Sequence, residues 1–152
     1  MKRSITLLLF LLTGLFIVMS HGAVSQRKMK KEAVLWPAQN ITWDEMKGAA
    51  PGVMTALLWG DRAKGPYGAF VKFPANTKQP LHTHSNDIKA IIVSGTFTYG
   101  VEGEEEKPYG PGSYLLIPAN VKHSNGSGAE GVMFFMEQSG KFDMKVVETD
   151  KK

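Results

Sequence analysis

The run FPANTKQPLHTHS, residues 73–85, decides the reading of this chain. It sets two histidines, His82 and His84, two positions apart. On a strand, alternate side chains share one face and lie about 6.6–7 Å apart along the backbone, so both imidazoles can turn toward one point. Neutral imidazole is the commonest protein ligand for metal ions. Alone the pair is a weak sign of a metal site, and two histidines on a solvated surface are the plain alternative; the context decides between them.

Working outward, the run has partners at telling distances. Asn76 stands six residues before His82, and Gly95 eleven residues after His84, where it closes the apolar stretch Ile88–Ser94. Further on, Gly112 and five more residues lead into Pro118-Ala119-Asn120-Val121-Lys122-His123. Together these stretches resemble the two signature motifs of the cupin superfamily. The first runs glycine, five residues, HxH, three or four residues, glutamate, six residues, glycine; the second runs glycine, five residues, PxGxxH. The resemblance covers roughly residues 53–138. It implies an all-β fold, the double-stranded β-helix or jelly-roll barrel of cupins, in a single domain. It also implies one divalent metal ion (Zn, Fe, Ni, Cu or Mn) on His82, His84 and His123. Asn76 and Asn120 stand where the family has glycine, an exchange that suits asparagine's tolerance of the left-handed backbone.

One departure is chemical. The family glutamate should fall at Ile88, counting back from Gly95, or at Lys89, counting on from His84, and neither is a carboxylate. Asp87 is the nearest acid, but strand parity puts Ile88, Ala90 and Ile92 on the inward face with the histidines, and turns Asp87 and Lys89 outward. Three neutral imidazoles would then be the whole protein ligand set.

The rest of the sequence fits a β-protein. Val53–Trp59, Tyr67–Phe73, Ile88–Val93, Thr96–Val101, Tyr114–Ile117, Gly131–Gln138 and Phe142–Val147 read as short strands punctuated by Gly, Pro and Asn. The acidic stretch 102–106 reads as a solvated hairpin tip. No window holds a sustained helical period; Thr42–Lys47 is long enough for one turn.

Ahead of this body, Lys2 and Arg3 precede the uncharged apolar run Ile5–Met19, and small residues follow. Residues 1–25 are therefore expected to be a signal peptide, cut after Gly22 or Ser25, rather than a membrane anchor, which usually needs about 20 apolar residues. Residues 26–35 form a basic leader and 36–150 the barrel. Export to the periplasm or outside follows, and the absence of cysteine leaves stability to the core and the metal. Setting aside the six basic residues up to Lys31 leaves 12 basic against 14 acidic residues, so no nucleic-acid surface is indicated.

Among other candidates, one of Glu137 and Gln138 should point inward and support the site. Tyr99, Tyr109 and Tyr114 read as core or rim aromatics, the three tryptophans as packing residues, and Arg62 as part of a surface turn. The sequence leaves two function classes open. One is a metalloenzyme, of oxygenase, hydrolase or isomerase type, acting on a small molecule. The other is a non-catalytic module binding a metal or small ligand in a mainly hydrocarbon pocket. Pairing into a homodimer is what the resemblance implies.

Overall fold

Every second residue of Tyr67–Phe73 is buried, as are Ile88, Ala90 and Ile92, and this two-residue period builds one wall of a barrel. In the computed structural model of the protein, residues 32–148 are described. The chain divides into Met1–Leu35 and Trp36–Lys152, and the second unit carries the fold. The expected signal segment and residues 26–31 of the leader lie outside the described residues.

Among the described residues the strands are β1 (Asp44–Glu45), β2 (Met54–Gly60), β3 (Tyr67–Phe73), β4 (Lys78–Thr83), β5 (Ile88–Val101), β6 (Lys107–Tyr109), β7 (Tyr114–Ile117), β8 (His123–Gln138) and β9 (Lys145–Val146). All pairings are antiparallel. Two long strands, β5 and β8, run side by side as a bent spine. One half of this spine, Ile88–Gly95 with Val132–Gln138, is flanked by β7 on one side and by β3, β2 and β1 on the other. The other half, Phe97–Val101 with His123–Ser127, is flanked by β6 and by β4 and β9. Two sheets thus share two strands, and the curled whole is the jelly-roll barrel expected from the motifs.

Register fixes what fills the inside. Leu115, Ala90, Met136 and Ala69 form one inward row across β7, β5, β8 and β3, with Ile92, Phe134 and Val71 in the next. Phe134 meets Phe73 and Phe97 with ring centroids 5.4 Å and 5.2 Å apart, both edge-on, the arrangement aromatic quadrupoles favour. Asn76 and Asn120 have φ of 55° and 64°. Both asparagines use the left-handed conformation for which the family keeps glycine.

Several expectations need correction. Ile88–Val93 and Thr96–Val101 are one strand: Ser94-Gly95 is a bulge in the β5–β8 ladder rather than a stop. β8 begins at His123, eight residues before the expected Gly131. Phe142–Val147 pairs with β4 only at Lys145 and Val146, because Phe142 and Asp143 give their backbone groups to Arg62 and His84 instead. Thr42–Lys47 makes no helical turn; Asp44–Glu45 pairs with β2, and the one short 3₁₀ turn among the described residues is Ala38–Asn40. Trp36 and Trp59 are about half exposed rather than packed inside.

Candidate metal centre

Strand pairing brings the histidines together. His82 on β4 and His123 at the head of β8 are direct cross-strand partners. His84 follows just past the end of β4. All three are buried, with ring centroids 4.9 Å (His82–His84), 4.3 Å (His82–His123) and 5.4 Å (His84–His123) apart. A ring nitrogen from each lies within 4.8 Å of the others. Among the described residues this is the one cluster of three or more potential ligands able to meet at an ion.

The hydrogen bonds decide which nitrogens face inward. Nδ1 of His82 lies 2.7 Å from the Pro80 carbonyl, Nδ1 of His123 lies 2.9 Å from the Val121 carbonyl, and Nδ1 of His84 meets the Asp143 carbonyl. A carbonyl only accepts, so each neutral ring carries its proton on Nδ1 and keeps a lone pair on Nε2. Nε2 of His123 is buried and has no hydrogen-bond partner. An orphaned lone pair in such a place is costly unless something electrophilic meets it. The residues present therefore fit a divalent ion.

Burial also keeps the rings neutral. It pushes His123 down to about 4, against the Val121 carbonyl and with help from the two neighbouring histidines. His82 and His84 are lowered by the same cause, opposed by the Pro80 and Asp143 carbonyls. Metal ligands must be deprotonated, so the site is poised at neutral pH. In the metal-free protein the unfolded chain binds protons at these histidines near pH 6.5, where the folded chain does not. Stability from this source is therefore complete above pH 6.5 and is lost as pH falls toward 4. For His123 the loss is on the order of 2 kcal/mol once solvent screening within the cavity is allowed for. Thermal melts of chelator-treated protein should show a falling Tm across that window; a flat profile would contradict the buried, neutral triad.

The histidines line one end of a cavity of about 60 Å³, room for a few waters or one small organic molecule. Its other walls are aliphatic, aromatic and thioether side chains, with Gln79 and Asn125 as the remaining polar residues. Ile88 stands in the wall where the family carries glutamate. Asp87 points away and accepts a hydrogen bond from the Ala119 N–H at 2.8 Å, and Lys89 is exposed. The parity argument holds at all three positions. Of the strand-end pair, Gln138 is the inward one, but it accepts a hydrogen bond from the Tyr67 hydroxyl at 2.9 Å and does not line the cavity; Glu137 lies on the opposite face.

Sequence reasoning missed the strap over this site. Phe142 and Met144 line the cavity and Asp143 supplies the carbonyl for His84. The Asp143 carboxylate accepts hydrogen bonds from the Ser85 N–H, at 2.8 Å, and from the Ser85 hydroxyl. Partial burial raises this carboxyl, but Ser85 and Lys145 outweigh that and hold it below the usual carboxylate range. Arg62 is no plain surface residue: its guanidinium carbon lies 4.2 Å from the Phe142 ring centroid, and its carbonyl accepts the Phe142 N–H at 2.9 Å.

A family profile described as a domain of unknown function, DUF4437, matches residues 21–145. The chain belongs to the DUF4437 family. This DUF4437 chain shares its fold with solved cupin structures. With the polyketide cyclase RemF from Streptomyces resistomycificus it aligns at TM-score 0.65 and 15% identity, covering 79% of this chain and 89% of that one. With the DMSP lyase DddQ from Ruegeria pomeroyi DSS-3 the values are 0.59, 17%, 75% and 64%, so the chain spans less than two thirds of that lyase. With an RmlC-like cupin from Shewanella frigidimarina NCIMB 400 they are 0.57, 17%, 73% and 94%. At these identities the likeness shows the fold. No curated protein matches the DUF4437 chain by sequence.

Proposed function

We propose that this protein is an exported metalloenzyme of the cupin fold, holding one divalent ion on His82, His84 and His123 and acting on a small, mostly apolar oxygen compound. The observation that carries the proposal is the set of three buried rings, each fixed at Nδ1 by a carbonyl, with the partnerless Nε2 of His123 among them. Imidazole donors admit Zn²⁺, Fe²⁺, Ni²⁺, Cu²⁺ or Mn²⁺. When bound, such an ion keeps its full double charge for want of a carboxylate ligand and serves as a Lewis acid toward oxygen. The chain's own part is to orient the rings, to exclude bulk water with the Phe142 and Met144 strap, and to hold an apolar body against hydrocarbon walls. The lyase and cyclase among the fold neighbours are consistent with conversion of small molecules.

A specific observation favours a second reading, a non-catalytic binding module. No carboxylate, lysine or phenol lines the cavity, so the chain offers no side-chain acid or base besides the ligands themselves. Elemental analysis of protein never exposed to a nickel column, followed by oxygen-uptake and turnover assays with small diketones and phenolics, separates the two. The enzyme reading expects turnover that disappears in a folded His84→Ala protein. Bound metal without turnover leaves the binding module.

Export rests on the basic start and apolar run of residues 1–25, and among the described residues no helix is long and apolar enough to cross a membrane. Pairing rests on an outer face. Tyr114, Ile91, Phe135 and Phe70 form one outward row across four strands, flanked by exposed Leu116 and Val93. An exposed apolar row of this kind marks an interaction site, and a second copy of the chain, related by a two-fold axis, is the proposed occupant. Native mass measurement on exported protein should give twice the mass of a chain lacking residues 1–25, and Ile91→Glu should give the monomer. A full-length monomer would remove both readings.

A further inference from the structure

Two positions beyond His123 on the same inward face stands Asn125, 7% exposed and lining the cavity. Its side-chain oxygen is buried and has no hydrogen-bond partner. Its cross-strand neighbour is Gln79, 5% exposed, which also faces the cavity. Gln79 has a structural task, since its side-chain oxygen accepts the Ala50 N–H at 3.1 Å. Asn125 has none. A carboxamide oxygen left unpaired in an apolar cavity destabilises the fold, and native proteins keep such groups rarely and where function uses them.

We infer that Asn125 is a second anchor for the molecule held at the three-histidine centre, which makes that molecule an α-hydroxycarbonyl compound. The inference rests on the metal reading above and adds the chemical class of the ligand. A carbonyl oxygen faces the ion, and a hydroxyl on the next carbon donates to the Asn125 oxygen. The separation fits. A metal–oxygen contact of about 2 Å, two oxygens on adjacent carbons and an O–H···O hydrogen bond of about 2.7 Å make a bent chain long enough to bridge positions i and i+2, about 6.6–7 Å apart along a strand. A cavity of about 60 Å³ admits a molecule of this size and little more. Apolar walls accept its carbon end, while an analogue without the hydroxyl leaves the buried oxygen unpaired and is disfavoured.

Cobalt(II)-loaded protein supplies the test, its visible absorption reporting what enters the open coordination positions. Hydroxyacetone and 2-butanone have the same number of heavy atoms and differ by a hydroxyl in place of a methyl. Wild-type protein should bind hydroxyacetone at least tenfold more tightly. Asn125→Leu, which replaces the carboxamide by an apolar group of similar shape, should bring the two within twofold of one another. It should also melt at or above wild type, because an unpaired buried oxygen has gone. Should that variant fail to fold, Asn125→Ala serves in its place. Cobalt taken up with no preference for hydroxyacetone, or with the preference intact in the Asn125 variants, overturns this inference and leaves the metal site standing. Failure to take up cobalt overturns the metal reading and this inference together.

Discussion

Saturating divalent metal is expected to raise the Tm of the chelator-stripped protein by about 10 °C, and His123→Ala to abolish the rise. Ligand at 100 to 1,000 times its dissociation constant stabilises the folded state by about 2.7–4.1 kcal/mol. For a domain of this size each kcal/mol moves Tm by roughly 3–4 °C. His123 is chosen because its ring is fully buried and its Nε2 has no hydrogen-bond partner. Removing one of three donors should lower affinity at least a hundredfold, since even loss of an outer partner of a ligand costs 10–100-fold. Differential scanning fluorimetry with Zn²⁺, Co²⁺ and Ni²⁺, reversed by chelator, is the measurement. The metal-free variant should melt near metal-free wild type, because the deletion also removes a buried unpaired nitrogen. Wild-type protein that melts at one temperature with and without metal would contradict the site.

The orientation of the triad makes this effect sharp. His82 and His123 each bond the carbonyl two residues before them, Pro80 and Val121, so two of the rings are aimed by their own local backbone. His84 is aimed from 59 residues away, by Asp143 on the strap. The strap therefore both roofs the cavity and completes the ligand set, which ties access to the site to the geometry of a single histidine.

How much of this was legible in the sequence follows from the same residues. Strands whose inward face is apolar, such as Tyr67–Phe73 and Tyr114–Ile117, are legible to the residue, because each is a short, mostly apolar run that Pro74 or Pro118 brings to a stop. The first half of β8 was not. Its inward residues are His123, Asn125 and Ser127, and a strand lining a polar site carries no apolar alternation; its glycines read as turns. The motif spacing compensated by giving the three histidines directly, and with them the fold. It gave nothing about Asn125 and Gln79, which sit in no motif, nor about the strap. Phe142, Asp143 and Met144 look like one more strand, and only tertiary contacts divert their backbone groups away from a ladder. The missing glutamate was legible in full: parity sent Ile88 inward and Asp87 outward, and the structure has both.

The same spine makes Gly95→Ala a substitution expected to harm the fold severely, at a position that touches no metal ligand. Gly95 has φ of 75°, and a Cβ placed on it would lie 2.2 Å from the carbonyl oxygen of Gly131, itself at φ of 76°. Here β5 and β8 bulge together and pass from one sheet to the other, since Gly95 pairs with Val132 and the next paired residue, Phe97, meets Ser127. The left-handed backbone costs alanine about 1–2 kcal/mol, and the contact is with main chain, which cannot swing aside, so an overpacking cost of about 1–3 kcal/mol adds to it. A loss of about 3 kcal/mol, or roughly 10 °C in Tm, is the expected result. Because the bend also carries His123 toward His82, metal affinity should fall although every ligand is intact. Asn120→Gly is the control, since glycine takes up the φ of 64° found there without strain and should leave both quantities close to wild type. A Gly95→Ala protein that melts within a degree or two of wild type and binds metal equally well would mean that the bend does not set the position of the third ligand.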